Sequence, residues 1–289
     1  MFRFLFLLLR RVLIVILVAC LTYFTVFYLF PYFDRRLPLA IAVAMTYLSL
    51  AYFIIPWSIR IFRIFDKPDH IPTCTTTIDG WAAEPVNIAI LAKDKRAFVR
   101  IMKTAGWYVA DNITIKSSIR AAWAWVFNRP YPEAPFSRLY LFGRRQDIGF
   151  EMPVGGSPRR RHHVRFWRVT HESLMRPSLH AHQTFWQKLF SRMWQKEQAL
   201  WVGAGTYDSF PVAISWQNGQ FRHKTHPNAD LERDFLIETL DSAGLLRRVH
   251  DIKSGEPYNG RAQHIGGKII SDGRVKLCEI KASGARGQK

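Results

Sequence analysis

Imidazoles, guanidinium groups and carboxylates gather in three runs: Arg161-His162-His163-Val164-Arg165-Phe166-Trp167, Thr206-Tyr207-Asp208, and His223 to Asp234, reading HKTHPNADLERD. A period of two predicts a strand over 162–169, with Arg161, His163, Arg165 and Trp167 on one side and His162, Val164 and Phe166 on the other. Neighbours on one face of a strand stand roughly 6.5 to 7 Å apart, a spacing at which two guanidinium groups can grip one phosphate or carboxylate. His163, between Arg161 and Arg165, could donate or shuttle a proton. The competing reading is a basic edge strand whose like charges are relieved by solvent or nearby carboxylates. His162 is expected to be packed and hydrogen-bonded.

A second chemistry is metal binding. His223, His226 and Asp230, with Asp234 and Asp208 within reach, offer nitrogen and oxygen ligands over a strand-to-helix junction, a set suited to a hard or borderline divalent ion. Against it, Asp230, Glu232 and Asp234 fall in the first turns of the expected helix, where carboxylates complement the dipole without any ligand. Asp208 closes a run containing Gly203 and Gly205, residues that let other groups approach closely.

These residues need a scaffold, and the pattern supplies one. Val86–Leu91 reads as a buried strand. Lys93–Ala105 reads as a helix with Ala97, Phe98, Ile101 and Met102 on one face, closed by Gly106. Asp111 or Asn112 is a candidate cap for the next helix, whose apolar positions are Ile115, Ile119, Ala122, Trp123, Val126 and Phe127. Beyond the prolines at 130–135 the period becomes two, predicting strands at 137–143, 148–152, 162–169, 200–207, 212–217 and 220–224. Asn218-Gly219 is a hairpin signal between the last two. A helix over 228–243 and strands at 249–253, 269–270 and 275–280 complete an α+β body with a mostly antiparallel sheet.

Two charge-free stretches, 12–33 and 37–59, each exceed the about 20 residues a helix needs to cross a bilayer. Tyr28, Tyr32, Tyr52 and Trp57 mark their ends, where amphipathic rings prefer the interface. Arg3, Arg10, Arg11, Arg60, Arg63 and Lys67 lie outside the pair, against Arg35 and Arg36 at the hairpin tip; by the distribution of basic residues both ends, and the body, are expected in the cytoplasm. Leu17-Val18-Ala19-Cys20 resembles a lipoprotein cleavage box, yet residues 21–30 stay apolar, unlike a cleaved mature start. The expected organisation is an anchor (1–67), a linker (68–85), a soluble domain (86–282) and a tail (283–289). Within the domain, Phe185–Lys196 reads as an amphipathic helix suited to a headgroup layer.

The 289 residues carry 41 basic and 22 acidic side chains, a formal charge of +19. Such a balance points to polyanions, and without a basic arm or zinc-knuckle spacing lipid and phosphate rank above nucleic acid. Three scattered cysteines make neither a disulfide framework nor a thiolate zinc site.

The runs Ala110-Asp111-Asn112-Ile113-Thr114, NRPYPEAP at 128–135, LFGRRQD at 141–147, GSPRRRHHVR at 156–165 and DLERD at 230–234 resemble the LssY-like C-terminal domain family, over about residues 85 to 250. Thr170–Gln198 is longer than that family's usual connection, and no phosphatase domain accompanies the spans. The resemblance implies a bacterial inner-membrane home and a link to lipid phosphate. It assigns no catalytic residue and no cofactor.

Three functions follow as expectations. The first is a membrane-anchored cytoplasmic module that binds an anionic ligand, a phosphorylated lipid or headgroup, through Arg161, His163 and Arg165. The second is a phosphoester hydrolase with His163 as proton donor, Asp208 as base or ligand, and a metal on His223, His226 and Asp230. The third is a scaffold for a membrane enzyme or transporter, with the basic face docking an acidic partner.

Overall fold

A computed structural model describes residues 2–58, 74–77, 82–170, 198–214, 221–253, 257–262 and 267–281, with backbone alone at 209–214 and 221–224, among others. The amphipathic helix expected at Phe185–Lys196 and the Asn218-Gly219 turn lie outside these residues. The chain divides into two compact units, the N-terminal helices and a sheet-containing body.

In the first unit, α1 (Phe2–Phe24) continues through a π-helical turn at Thr25–Leu29 into α2 (Phe30–Asp34). Pro38 breaks the helix and begins α3 (Leu39–Ser49), which runs on through a second π turn, Leu50–Ile54. Two segments, Val15–Asp34 and Leu39–Ser58, are long and apolar enough to cross a membrane.

The body is built on an eight-stranded sheet. Its strands are β3 (Ile88–Ala92), β4 (Tyr108–Val109), β7 (Ile148–Val154), β8 (Ser157–Arg168), β9 (Ala199–Ile214), β10 (Phe221–Thr225), β11 (Leu246–Lys253) and β14 (Arg274–Ile280). Their order is β11-β14-β3-β9-β8-β7-β4, with β10 also on β9. Along that path only the β14–β3 pair is parallel. A smaller sheet joins β1 (Cys74–Thr76), β2 (Ala82–Pro85), β5 (Tyr140–Leu141) and β6 (Arg144–Arg145), and β12 (Tyr258–Ala262) pairs with β13 (Gly267–Ser271). Strands β1 and β2 thus occupy the stretch expected to be linker. The two strands expected at 200–207 and 212–217 form one strand, β9, as far as Ile214.

Helix α4 (Lys95–Thr104) is capped by Asp94, whose Oδ1 accepts the Ala97 N–H at 2.7 Å. It buries Ala97, Phe98, Ile101 and Met102; Phe98 stacks on Trp201 at 4.6 Å and meets Phe166 edge-on at 4.8 Å. Helix α6 (Ala229–Ser242) shares this face, adding Leu236 and Leu240 to a core with Ile88, Ile90, Phe150 and Val164. The opposite face of the sheet, with Trp167, Leu200, Val202 and Leu277, packs against Ala83, Leu139, Leu141 and Phe142 around the smaller sheet. A central sheet therefore lies between helices on one side and short strands on the other.

The third helix of the body, α5 (Ile115–Val126), begins at Thr114 rather than at Asp111 or Asn112. Thr114 and Ser117 form a reciprocal capping box, which satisfies two donors of the first turn. Asn128, at φ 49°, closes the helix, and the Arg129 N–H reaches back to the Ala124 carbonyl at 2.8 Å.

Candidate functional site

Alternation along β8 holds: Arg161, His163 and Arg165 share the face of Trp167. Their surroundings are dry, with relative exposures of 8 %, 3 % and 2 %. Antiparallel pairing sets Asp208 opposite Arg161 and Thr206 opposite His163 on β9, and Glu151 opposite His163 on β7. Arg161 donates from Nη1 to Glu151 Oε2 at 3.0 Å and from Nε to Asp208 Oδ2 at 3.3 Å. Arg165 Nη1 donates to both oxygens of Glu84 on β2 at 2.8 Å, while its Nε and Nη2 reach the carbonyl and hydroxyl of Ser137. The Phe136 ring covers this end, 4.6 Å from the Arg165 guanidinium carbon and 5.0 Å from the His163 ring.

Hydrogen bonding orders the middle of the row. Thr206 Oγ1 lies 3.1 Å from Glu84 Oε1 and 2.6 Å from His163 Nε2. A hydroxyl has one proton, and an ionised carboxylate only accepts; Thr206 therefore donates to Glu84 and accepts from His163, which puts an imidazole proton on Nε2. His163 Nδ1 then faces Asp208 Oδ2 at 3.5 Å.

Two guanidinium groups thus stand among three carboxylates, Glu84, Glu151 and Asp208, all buried. Burial pushes the Glu151 carboxyl up to about 8; Arg161 opposes the shift, and Asp208 adds to it. The raised carboxyl takes up a proton more readily than a free glutamate, which eases the excess of carboxylates over guanidinium groups. Glu151 Oε1 has no hydrogen-bond partner among the described residues. The arrangement can store a proton and lock three strands together, and both guanidinium groups are already paired inside it.

The remaining predicted residues lie elsewhere. His162, on the other face of β8, stacks on Phe235 of α6 at 3.9 Å, with Nδ1 2.7 Å from Glu232 Oε2. Burial raises the Glu232 carboxyl, against the pull of His162. The glycines of β9 serve this helix face rather than Asp208. A Cβ at Gly205 would stand 3.0 Å from Glu232 Cγ, and one at Gly203 would stand 2.6 Å from the Phe166 ring.

Asp230 opens α6, on the helix-bearing side. It accepts from Ser271 Oγ at 3.0 Å, the Asp272 N–H at 2.6 Å and Arg233 at 3.2 Å. His226 Nδ1 accepts the Asn228 N–H at 3.2 Å. The structure thus joins His163 with Asp208 and keeps Asp230 apart from them. The His223 side chain lies outside the described residues, among which no group of three His, Cys, Asp or Glu side chains is arranged to hold a metal ion.

Cations do face outward on α4. Lys95, Arg96, Arg100 and Lys103, with Lys93 just before the helix, are exposed, and Asp94 among them is tied to its capping role. The partners that sequence reasoning missed are Glu84, Glu151 and Glu232. A signal existed for Glu151, a lone carboxylate in an otherwise uncharged strand; Glu84 sits where composition suggested a linker.

The motif residues quoted above hold frame and turn. Tyr131 donates to Asp111 Oδ2 at 2.5 Å, Ser157 to Asn128 at 2.8 Å, and Gln146 Oε1 accepts the Leu139 N–H at 2.8 Å. Phe142 and Gly143, at φ 56° and 69°, turn β5 into β6. A family model described as LssY C-terminus matches residues 68–275. No curated protein and no solved structure matches the chain significantly.

Proposed function

The chain belongs to the LssY C-terminus family, and from that premise we propose that it is a membrane-anchored module which binds an anionic ligand, a phosphorylated lipid or its headgroup, at a bacterial inner membrane. The two apolar helices support the anchor, and the excess of basic residues flanking them over those at the hairpin tip supports a cytoplasmic body. One observation carries the ligand reading: the outer face of α4 presents four cations and Lys93 just before it a fifth, around a single capping carboxylate. Arg161 and Arg165 were the expected contacts, but with Glu84, Glu151 and Asp208 already beside them they act as frame. Exposed cations keep their hydration and long-range field, so an anion approaches them without stripping a buried pair.

The test uses the full chain in neutral detergent with two water-soluble lipids, dihexanoyl phosphatidic acid and dihexanoyl phosphatidylcholine. Titration calorimetry is expected to show binding of the acid alone, weakened by salt. Arg96→Glu with Lys103→Glu is expected to weaken it by about thirtyfold or more, since each cation near an anionic surface contributes on the order of 1 kcal/mol and two are lost. Equal affinity for both lipids, or no effect of the double substitution, sinks the proposal.

A further inference from the structure

Helix α5 is mounted with its apolar side outward. Ile115, Ile119, Ala122, Trp123, Val126 and Phe127 form one stripe; the five large residues are 83 %, 65 %, 62 %, 56 % and 53 % exposed. Ser117 and Ala124, on the opposite side, are buried. A surface helix ordinarily turns its apolar stripe to the core, so this orientation is inverted. It is also firmly held. Besides the capping box, Arg159 donates from Nε to the Trp125 carbonyl at 2.9 Å and from Nη2 to that of Val126 at 3.1 Å. Arg120 lies 4.0 Å over the Tyr131 ring, whose hydroxyl is bound to Asp111.

We infer that α5 is an interfacial element: its stripe lies among the headgroups and upper acyl chains of an anionic bilayer. Contiguous exposed apolar surface of this kind marks a protein or membrane contact, and charge selects between them. Lys116, Arg120 and Arg129 are exposed around the stripe, and the helix carries no carboxylate. A second copy packed on the same stripe would bring Lys116 and Arg120 against their own kind, whereas anionic headgroups neutralise them. Trp123, its ring 4.1 Å from that of Phe127, suits the boundary between headgroup and acyl chain. The chain's own apolar helices bring it to a bilayer. This contact is separate from the α4 cations and stands without the anionic-ligand reading.

The test is a fluorophore on Ile119→Cys in the full chain, reconstituted into nanodiscs of phosphatidylglycerol and phosphatidylcholine, with Cys20 replaced by alanine. Cys74, which is half-buried, is replaced by alanine as well, while Cys278 is buried and its thiol pushed up to about 12. Spin labels carried just below the lipid headgroups are expected to quench this position about threefold more than a label at exposed Arg248→Cys, with aqueous iodide giving the reverse order. Trp123→Asp with Val126→Asp is expected to abolish the difference while lowering the unfolding midpoint by only a few degrees, both side chains being exposed. Arg96→Glu with Lys103→Glu is expected to leave it intact, which separates this contact from ligand binding on α4. Equal quenching at 119 and 248 overturns the inference. So does quenching at 119 that comes only from a spin label on a second copy.

Discussion

Arg165 and Glu84 stand 81 residues apart in sequence and meet through one guanidinium nitrogen, Nη1, 2.8 Å from both carboxylate oxygens. Through this contact the smaller sheet, to which Glu84 belongs, is tied to the centre of the larger one. Removing one partner of a buried pair strands the other charge, at a cost of about 3–5 kcal/mol. Arg165→Ala is therefore expected to lower the stability of the detergent-solubilised chain by about that much in denaturant unfolding. Arg165→Met combined with Glu84→Leu should recover most of the loss. A loss in the double variant equal to that in Arg165→Ala would mean that the charges are not acting as a pair.

Glu151 gives stability a pH dependence whose sign is fixed. Folding raises its carboxyl from 4.5 to about 8, so between those values the folded chain holds a proton that the unfolded chain releases. Its contribution is complete below the lower value and is lost as pH rises through the upper one. Glu232 is raised too and adds in the same direction. Glu151→Gln is expected to flatten the fall in unfolding midpoint between about pH 5 and about pH 9; an unchanged slope would put the proton elsewhere.

Gly203 meets Phe166 at a distance that leaves no space for a methyl group. Gly203→Ala should destabilise the body by about 1–3 kcal/mol through overpacking. Phe166→Leu in the same chain should return part of that, a coupling that a double-mutant cycle measures directly.

His162 Nδ1 lies 2.7 Å from Glu232 Oε2, and the other oxygen of that carboxylate is buried without a hydrogen-bond partner among the described residues. His162→Phe keeps the stacking on Phe235 and removes the hydrogen bond, so it should cost about 1–3 kcal/mol at neutral pH. The loss should shrink in acid, where Glu232 is protonated in either chain; a loss independent of pH would assign it to packing alone.

Much of the fold was legible because period and capping are local. The apolar face of α4, the span of α6 from its Asn228 cap, the shared face of Arg161, His163 and Arg165, and the two apolar helices all followed from spacing. The charge balance of the site did not. Glu84 meets Arg165 only once a distant strand folds over the sheet, and no pattern near residue 165 announces it. Helix α5 exposed a different limit: its apolar period was visible, but a period says which residues share a face and not whether that face points inward.

Strand order adds a constraint in time. Central strand β3 has β9 on one side and, in parallel, β14 on the other, so one flank of Ile88 and Ile90 stays bare until Arg274–Ile280 has been synthesised. The apolar helices leave the ribosome well before that, and a chain shortened ahead of Arg274 would present β3 with an unmade neighbour. Assembly of the larger sheet is thereby a late event, finished only after both long apolar helices have been made.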